Sequence, residues 1–427
     1  MPTPRNDVYW YTLEPADIIP LQSNISAEVA VIGGGMAGLT CAQALAGSGL
    51  EVVLLERDFC GAGATGKSSG FITPDSELGL GVLLTRFGPE KAKALWDFVT
   101  EGVEHIRKTI LDHRIPCDYE VQDSLYVANS SRAVRSIEKE HLAHQQLGYA
   151  STLYSREMLG SVLGPCGYAG GVRYGGTFGI DAYLYCQGLK RVLRKRGVAI
   201  YEHTPVVELL AGRVKTKRFT VIAKHVVLCL DRYAAALGVL RDEVYGFQTF
   251  LGISSPLSSV DMKAIFPAAK LMVWDSDLIY QYYRMTGENR LLVGGSSLLY
   301  TYLQSETRHR GAMVRRLERY ARTKIGIERL EIEYIWPGII GVTKDFLPVA
   351  GRDPAYRNAY YIGGVAGLPW AAALGNLVAR AVVQGGLPRE NVFDRHRRYP
   401  INTMLQRLLS RPVAFGVSHG IVKCRRR

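Results

Sequence analysis

No two cysteines in this sequence form a CxxC pair, and the seven that occur, at 41, 60, 117, 166, 186, 229 and 424, are scattered and odd in number. That usage argues against a disulfide framework and against a zinc site, so no metal is expected, and it fits a reducing cytoplasm. A long apolar run is missing as well. The most membrane-like stretch, Val378 to Val383 with the alanines before it, is interrupted by Arg380 and bounded by Gly385-Gly386, too short to span a bilayer. Residues Met1 to Pro20 are polar, aromatic and proline-broken, without an apolar core before a small-residue cleavage site, so no secretory signal is expected. Internal repeats and low-complexity segments are lacking too. These absences together predict a soluble, cytoplasmic protein.

What is present is a chain of 427 residues, 47% hydrophobic and 21% charged, enough for a sizeable core divided among two or three domains. Many of the 45 glycines cluster at 33–38, 61–70 and 363–367, a pattern of backbone-lined ligand loops. The charge is uneven: residues 381–427 hold ten Lys/Arg and two Asp/Glu, which is +8 of the net +13. Arg425-Arg426-Arg427 offers a contact for nucleic acid or an anionic membrane surface. A solvated tail accounts for the same residues, and nucleic acid is not expected as a partner.

Glu28 to Ile32 reads as a buried strand, Leu39 to Ser48 as a helix stopped by Gly49, and Glu51 to Leu55 as a second buried strand. Between strand and helix, Gly33-Gly34-Gly35-Met36-Ala37-Gly38 satisfies GxGxxG at 33, 35 and 38. The first glycine makes the tight turn, the second admits a pyrophosphate to the backbone, and the third lets the helix pack on the sheet. Amides around Met36 and Ala37, with the helix dipole, stabilise the phosphates. Such a turn is a weak signal alone. Glu56 strengthens it, since an acid ending the second strand, with Arg57 beside it, can accept ribose hydroxyls and disfavours NADP.

The next loop, Gly61-Ala62-Gly63-Ala64-Thr65-Gly66-Lys67-Ser68-Ser69-Gly70-Phe71, is small enough to pass close to a flat ring, with N–H groups and hydroxyls to bond its edge. A plain NAD dehydrogenase has no use for it, so FAD is the expected cofactor. Further along, helices are predicted over 89–113, 131–147, 182–196, 306–325 and within 363–385, with strands over 124–128, 198–201, 226–230, 246–254, 271–274, 278–285, 290–294, 330–336 and 360–362. The order is α/β, then β-rich, then α/β again. It predicts a discontinuous nucleotide domain of 1–90, 152–235 and 335–427, and a substrate domain of 91–151 and 236–334. His105, His113, His141 and His144 read as helix-surface residues.

These segments resemble the superfamily of D-amino acid oxidase, glycine oxidase and sarcosine oxidase, nearest to its γ-glutamylputrescine oxidase branch. The nucleotide unit and glycine-rich loop carry the resemblance, with Tyr282-Tyr283-Arg284, Arg290 to Gly295, Thr343 to Pro348 and Gly363 to Gly367. It implies an α/β fold: an FAD-binding Rossmann-like domain of the glutathione-reductase type, with an inserted α+β substrate domain built on a large mixed sheet. It also implies that Gly33, Gly35, Gly38 and Glu56 hold the ADP half, and that Val206 presents backbone groups to the adenine. The loop residues Gly63, Ala64, Thr65, Lys67, Ser68, Ser69 and Gly70 would line the flavin, and Cys229 would pass beside the pyrophosphate. Gly364, Gly367, Leu368 and Pro369 would bring a helix N-terminus to the flavin pyrimidine.

Departures from the family pattern narrow the expectation. Ile340 stands where glycine oxidase-like members grip a carboxylate with Arg, which favours an amine, or an amino acid held from elsewhere by Lys67 or Arg284. Gly338 stands where sarcosine oxidase-like members attach FAD through Cys, so non-covalent FAD is expected. Leu292 matches the Lys that promotes reaction with oxygen, leaving O2 or another electron acceptor open. Phe71, Tyr282, Arg284, Trp336, Ile340 and Trp370, with Tyr280, are the expected substrate pocket, and Lys67 the one candidate catalytic residue. The predicted activity is oxidation of a C–N bond in a small amine or amino acid, with a dehydrogenase and an RNA-associated scaffold as alternatives.

Overall fold

The computed structural model describes residues 4–424 apart from 15, 76, 298–300, 302–309 and 357. One eight-stranded sheet carries the nucleotide unit. Its strands are β1 (Ile25–Ile32), β2 (Val52–Leu55), β9 (Ala199–Tyr201), β10 (Val206–Leu210), β11 (Arg213–Thr216), β12 (Thr220–Leu228), β18 (Val349–Arg352) and β19 (Ala359–Gly363). The order is β10-β11-β12-β1-β2-β9, with β19 on β12 and β18 on β19. Strands β19, β12, β1, β2 and β9 run parallel.

A parallel sheet is covered on both faces, which is why Val29 to Ile32 and all of β2 are apolar and buried. Helix α1 (Met36–Gly47) follows β1 and is itself apolar nearly all round, because a second helix, α8 (Leu368–Gln384), lies against it. The two backbones come close enough that a Cβ at Gly375 would sit 2.6 Å from the Ala37 carbonyl oxygen. The loops after β1, β2, β12 and β19 therefore gather at the carboxyl ends of the parallel strands, where open α/β sheets bind ligands.

The second eight-stranded sheet runs β17 (Ile332–Val342), β13 (Tyr245–Pro256), β16 (Arg290–Gly295), β15 (Tyr282–Met285), β14 (Leu271–Asp275), β5 (Asp123–Val127), β7 (Gly170–Tyr174), β6 (Thr152–Ser155). It is mixed, with β14 and β5 parallel and the other neighbours antiparallel. Side chains alternate between its faces. Leu125, Phe250, Val273 and Tyr283 meet α4 (Arg156–Leu163), α6 (Ser259–Ile265) and α7 (Arg310–Tyr320). Tyr126, Phe247, Trp274 and Tyr282 belong to the other face, which looks toward the nucleotide sheet. A small sheet of β3 (Phe71–Ile72), β8 (Phe178–Gly179) and β4 (Glu120–Val121) links the two.

Sheet membership differs from the expected domain limits. Strands β6 and β7, placed in the nucleotide domain by sequence, pair with β5 in the second sheet, and the limit at 335 falls inside β17. The helix expected from 89 extends back to Leu80 as α2 (Leu80–His113), broken at Gly88, whose φ of 77° precedes Pro89. Its start is capped from α3 (Val134–Leu147): the Glu140 carboxylate accepts the N–H of Leu80 at 2.7 Å and of Gly81 at 2.9 Å. His144, expected on a helix surface, is buried 3.4 Å from that carboxylate and edge-on to Trp96, since α3 packs this face on α2. The chain then runs through α5 (Ala182–Lys195) and ends in α9 (Thr403–Leu409) and α10 (Arg411–Cys424). The C-terminal Arg425 to Arg427 and part of the helix expected over 306–325 lie outside the described residues.

Candidate functional site

The turn after β1 is built so tightly that side chains cannot enter it. Gly33 has φ 109°, and a Cβ there would lie 2.4 Å from the Cys229 carbonyl oxygen; one on Gly38 would lie 1.9 Å from the Gly33 oxygen. Helix α1 begins after Gly35 with no side-chain cap and no acid in its first turn. Its first amide, Met36, meets the Thr65 hydroxyl at 3.1 Å, which ties the turn to the next loop. Ala37 follows in the same first turn. These are the features of a diphosphate cradle.

Glu56 accepts the N–H of Gly34 at 2.7 Å and of Asp58 at 2.9 Å. Burial raises its carboxyl, against the lowering effect of these two amides. A carboxylate has about four acceptor sites, so two remain for ribose hydroxyls. Arg57 lies over the Tyr233 ring at 3.9 Å and pairs with Asp58 at the surface. Val206 opens β10 at the edge of this region, and Cys229 continues β12, its thiol pushed up to about 12 by burial.

The loop from Cys60 to Gly70 is held from outside by its carbonyls. Trp336 Nε1 donates to Lys67 O at 3.1 Å, Trp10 Nε1 to Ser68 O at 3.1 Å, and Arg284 Nε to Ser69 O at 2.7 Å. Three consecutive peptide units are fixed in this way. Opposite the loop, Asp231 Oδ1 accepts the amides of Gly364 at 2.9 Å and Val365 at 3.3 Å, and its Oδ2 accepts that of Gly341 at 2.5 Å. Helix α8 then begins after Gly367, φ 112°, with Leu368 and Pro369 in its first turn and no side-chain cap. Proline is tolerated there because first-turn amides have no intrahelical acceptor.

Between loop and helix lies a cavity of about 1250 Å³, its open mouth included. One wall holds Ala64, Thr65, Lys67 to Phe71 and Val365 to Leu368; the other holds Phe247, Thr249, Trp274, Tyr280 and Tyr282 from the second sheet. Ile340 and Gly338 close it from β17. Two buried acids, Asp75 and Glu77, complete the lining, with the Tyr280 hydroxyl donating to Glu77 at 2.7 Å.

The structure thus brings Lys67, the candidate catalytic residue, to one cavity with Phe71, Tyr280, Tyr282 and Ile340 of the expected pocket, and places the other three elsewhere. Trp336 packs on Trp10 at 6.0 Å, and Trp370 lies between Phe98 and Phe393 behind α8. Arg284 is fully buried, donating to Ile180 O at 2.6 Å and Met285 O at 2.9 Å as well as to Ser69 O, so its guanidinium faces carbonyls of the fold. Sequence reasoning passed over Asp75, Glu77, Thr249 and Trp274. The position of the two acids directly after the ring-lining loop was their one available signal.

The residues fit FAD: Gly33 and Gly38 leave no room for a Cβ, and α1 and α8 both start without a side-chain N-cap. Comparison with known proteins agrees. The model of the family described as DAO, FAD dependent oxidoreductase, matches residues 28–381. The chain is similar to the probable oxidoreductase OrdL of Haemophilus influenzae, 29% identical, with 88% of this chain and 87% of that protein covered. It is similar also to the gamma-glutamylputrescine oxidoreductase of Escherichia coli, 26% identical, with 89% of each covered. In fold it is similar to the crystal structure of glycine oxidase from Geobacillus kaustophilus, with TM-score 0.74 and 19% identity, covering 87% of this chain and 99% of that one. With a family match that spans both sheets and the cavity between them, this chain belongs to the DAO family of FAD-dependent oxidoreductases.

Proposed function

We propose that this protein oxidises a C–N bond in a small amine, and that the amine carries a second positive charge away from the reacting nitrogen. The observation behind this reading is the lining of the cavity. Among the described residues it contains two carboxylates, Asp75 and Glu77, against one cation, Lys67, and no guanidinium. The site therefore offers no Arg to a substrate carboxylate but does offer negative charge to a cation. The curated relative that acts on gamma-glutamylputrescine supports an amine over a simple amino acid.

Bound FAD would supply the two-electron oxidant, taking a hydride from the carbon next to nitrogen. The chain's own residues do the rest. Amides at the start of α1 would bind the diphosphate, and those at the start of α8 would stabilise negative charge at the flavin pyrimidine. Phe71, Trp274 and Tyr282 exclude water and position the substrate. The reacting nitrogen must be neutral so that its lone pair can assist, and a carboxylate beside it would favour its protonated form. Asp75 and Glu77 are thus suited to a distant cation. Release of the imine to water gives the carbonyl product, and no dedicated base is needed.

A second reading, a dehydrogenase that passes electrons to an acceptor other than oxygen, rests on Leu292, a fully buried aliphatic residue at the position where the resemblance puts an oxygen-activating Lys. The test of both is direct. The purified protein should be yellow, and diamines should bleach it without air. Peroxide formed on admitting air marks an oxidase; turnover only with an artificial acceptor marks a dehydrogenase. If no amine bleaches the flavin, the C–N reading falls.

A further inference from the structure

Helices α9 and α10 present an apolar face that nothing among the described residues covers. In α9, Met404 and Leu408 are each 76% exposed, and Leu405 and Leu409 stand beside them. In α10, Val413, Val417 and Ile421 recur at every fourth residue and are exposed. That spacing puts the three on one side of the helix. The opposite side of α10 is anchored to the enzyme: Phe415 stacks on Tyr245 at 5.1 Å, and His419 meets Phe346 at 4.6 Å. The apolar side is therefore displayed by a docked helix. Residues 401–427 also contain six Lys/Arg and no Asp/Glu; of these Arg407 is exposed on α9, Arg411 donates to the Val244 carbonyl at 3.1 Å, and the side chains of Lys423 and Arg425 to Arg427 lie outside the described residues.

We propose that α9 and α10 form a docking face for an anionic lipid bilayer, on which the enzyme sits without crossing it. Among the described residues no helix is long and apolar enough to cross a membrane. An amphipathic helix with a basic flank lies instead in the plane of the interface, its apolar side among the acyl chains and its cations at the headgroups. Charge complementarity selects this occupant over a second copy of the chain. A symmetric dimer built on this face would set the same patch against itself and bring cations against cations. Anionic headgroups attract each nearby cation, strengthening partition about fivefold apiece. No residue of α9 or α10 lines the substrate cavity, so the face does not depend on the proposed reaction.

The experiment is vesicle flotation of the yellow, full-length protein, with flavin absorbance marking the protein. With vesicles of roughly one-third phosphatidylglycerol, partition should exceed that with phosphatidylcholine alone by at least about tenfold, and about 0.5 M salt should abolish the difference. Met404→Ser with Leu408→Ser should reduce partition at least about fivefold, since two exposed side chains are involved. Arg407→Gln should reduce it severalfold. Unchanged melting temperatures would show that these variants are folded. Equal partition onto both vesicle types overturns the proposal, as does a double serine variant that floats like the parent. A dimer that the serine variant splits, with no flotation by the parent, overturns it in favour of a second copy. Failure to float with anionic vesicles but capture by an acidic polypeptide overturns it in favour of a protein partner.

Discussion

The Asp231 carboxylate accepts the backbone N–H of Gly364 at 2.9 Å, joining the end of β12 to the loop that starts α8. The same side chain holds Gly341 at 2.5 Å in β17, so it fixes three elements around the cavity. Its φ of 49° lies in the left-handed region, which Asp and Asn tolerate better than other non-glycine residues. Asp231→Asn therefore keeps the backbone but turns an NH2 toward one of the amides it should accept. The loss of a buried charged hydrogen bond, about 1–3 kcal/mol, should weaken FAD retention by roughly tenfold or more. Flavin release followed by fluorescence would measure it, with circular dichroism as the check on folding. Unchanged release would show that Asp231 does not position the flavin-facing loop.

Arg284 gives a prediction that separates a structural role from the substrate grip suggested by its sequence position. Burial lowers its guanidinium from the usual range, against the attraction of Asp118 and Asp181, yet each of its three nitrogens donates to a carbonyl of the fold. Arg284→Met leaves the Ser69, Ile180 and Met285 carbonyls without this donor at a cost of about 1–3 kcal/mol for each group left unsatisfied. The expected result is a much lower melting temperature and loss of flavin. If the variant instead keeps its flavin and shows only a raised KM for carboxylate-bearing substrates, the pocket role is restored.

What was legible in the sequence was mostly local. Strand, glycine turn, helix, strand and Glu56 lie within about thirty residues, and each signals itself by periodicity or by backbone need. The second sheet was visible as strands but not as an order, because β5, β6 and β7 join it from about 70 to 120 residues before β13 and leave no periodic trace of their partners. Trp336 was read as a pocket wall because it is large and apolar. Its indole is directed to the Lys67 carbonyl by β17 pairing with β13, a tertiary fact. Asp75 and Glu77 carry no motif at all, and only the second sheet closing over them makes them part of a cavity.

Burial pushes the Asp181 carboxyl up to about 7, although the amides of Leu184 and Tyr183, which it caps at the start of α5, oppose the shift. Its Oδ2 has no hydrogen-bond partner among the described residues. An unfolded Asp titrates near 4, so the folded chain holds this proton more tightly. The resulting stability is fully present below about pH 4 and is lost as the pH rises to about 7. Asp181→Asn keeps the Oδ1 cap and removes the titration. Melting curves should show a stability decline across this range in the parent that is smaller in the variant. At about pH 8 the variant should be the more stable by on the order of 4 kcal/mol, since the carboxyl moves by about three pH units at about 1.4 kcal/mol each. An identical slope in both proteins would assign the pH dependence to other groups.

Glu77→Gln tests the substrate reading most sharply, because it changes charge with little change of shape. The Tyr280 hydroxyl now donates to Glu77 Oε1 at 2.7 Å, and a glutamine oxygen can accept it in the same place. The cavity wall should therefore persist while half of its negative charge is lost. A diamine whose second ammonium meets this wall would lose a charged hydrogen bond of about 1.5–3 kcal/mol, which is roughly a tenfold to hundredfold fall in kcat/KM. Since the contact is distant from the reacting carbon, the change should appear in KM, with kcat nearly kept. A monoamine of similar size with an uncharged tail should be unaffected. Asp75→Asn should act in the same direction, and the two losses need not add because the acids share one ligand group. Equal losses for diamine and monoamine would mean that the acids act on the reacting nitrogen or on the fold, and the requirement for a second cation would be withdrawn.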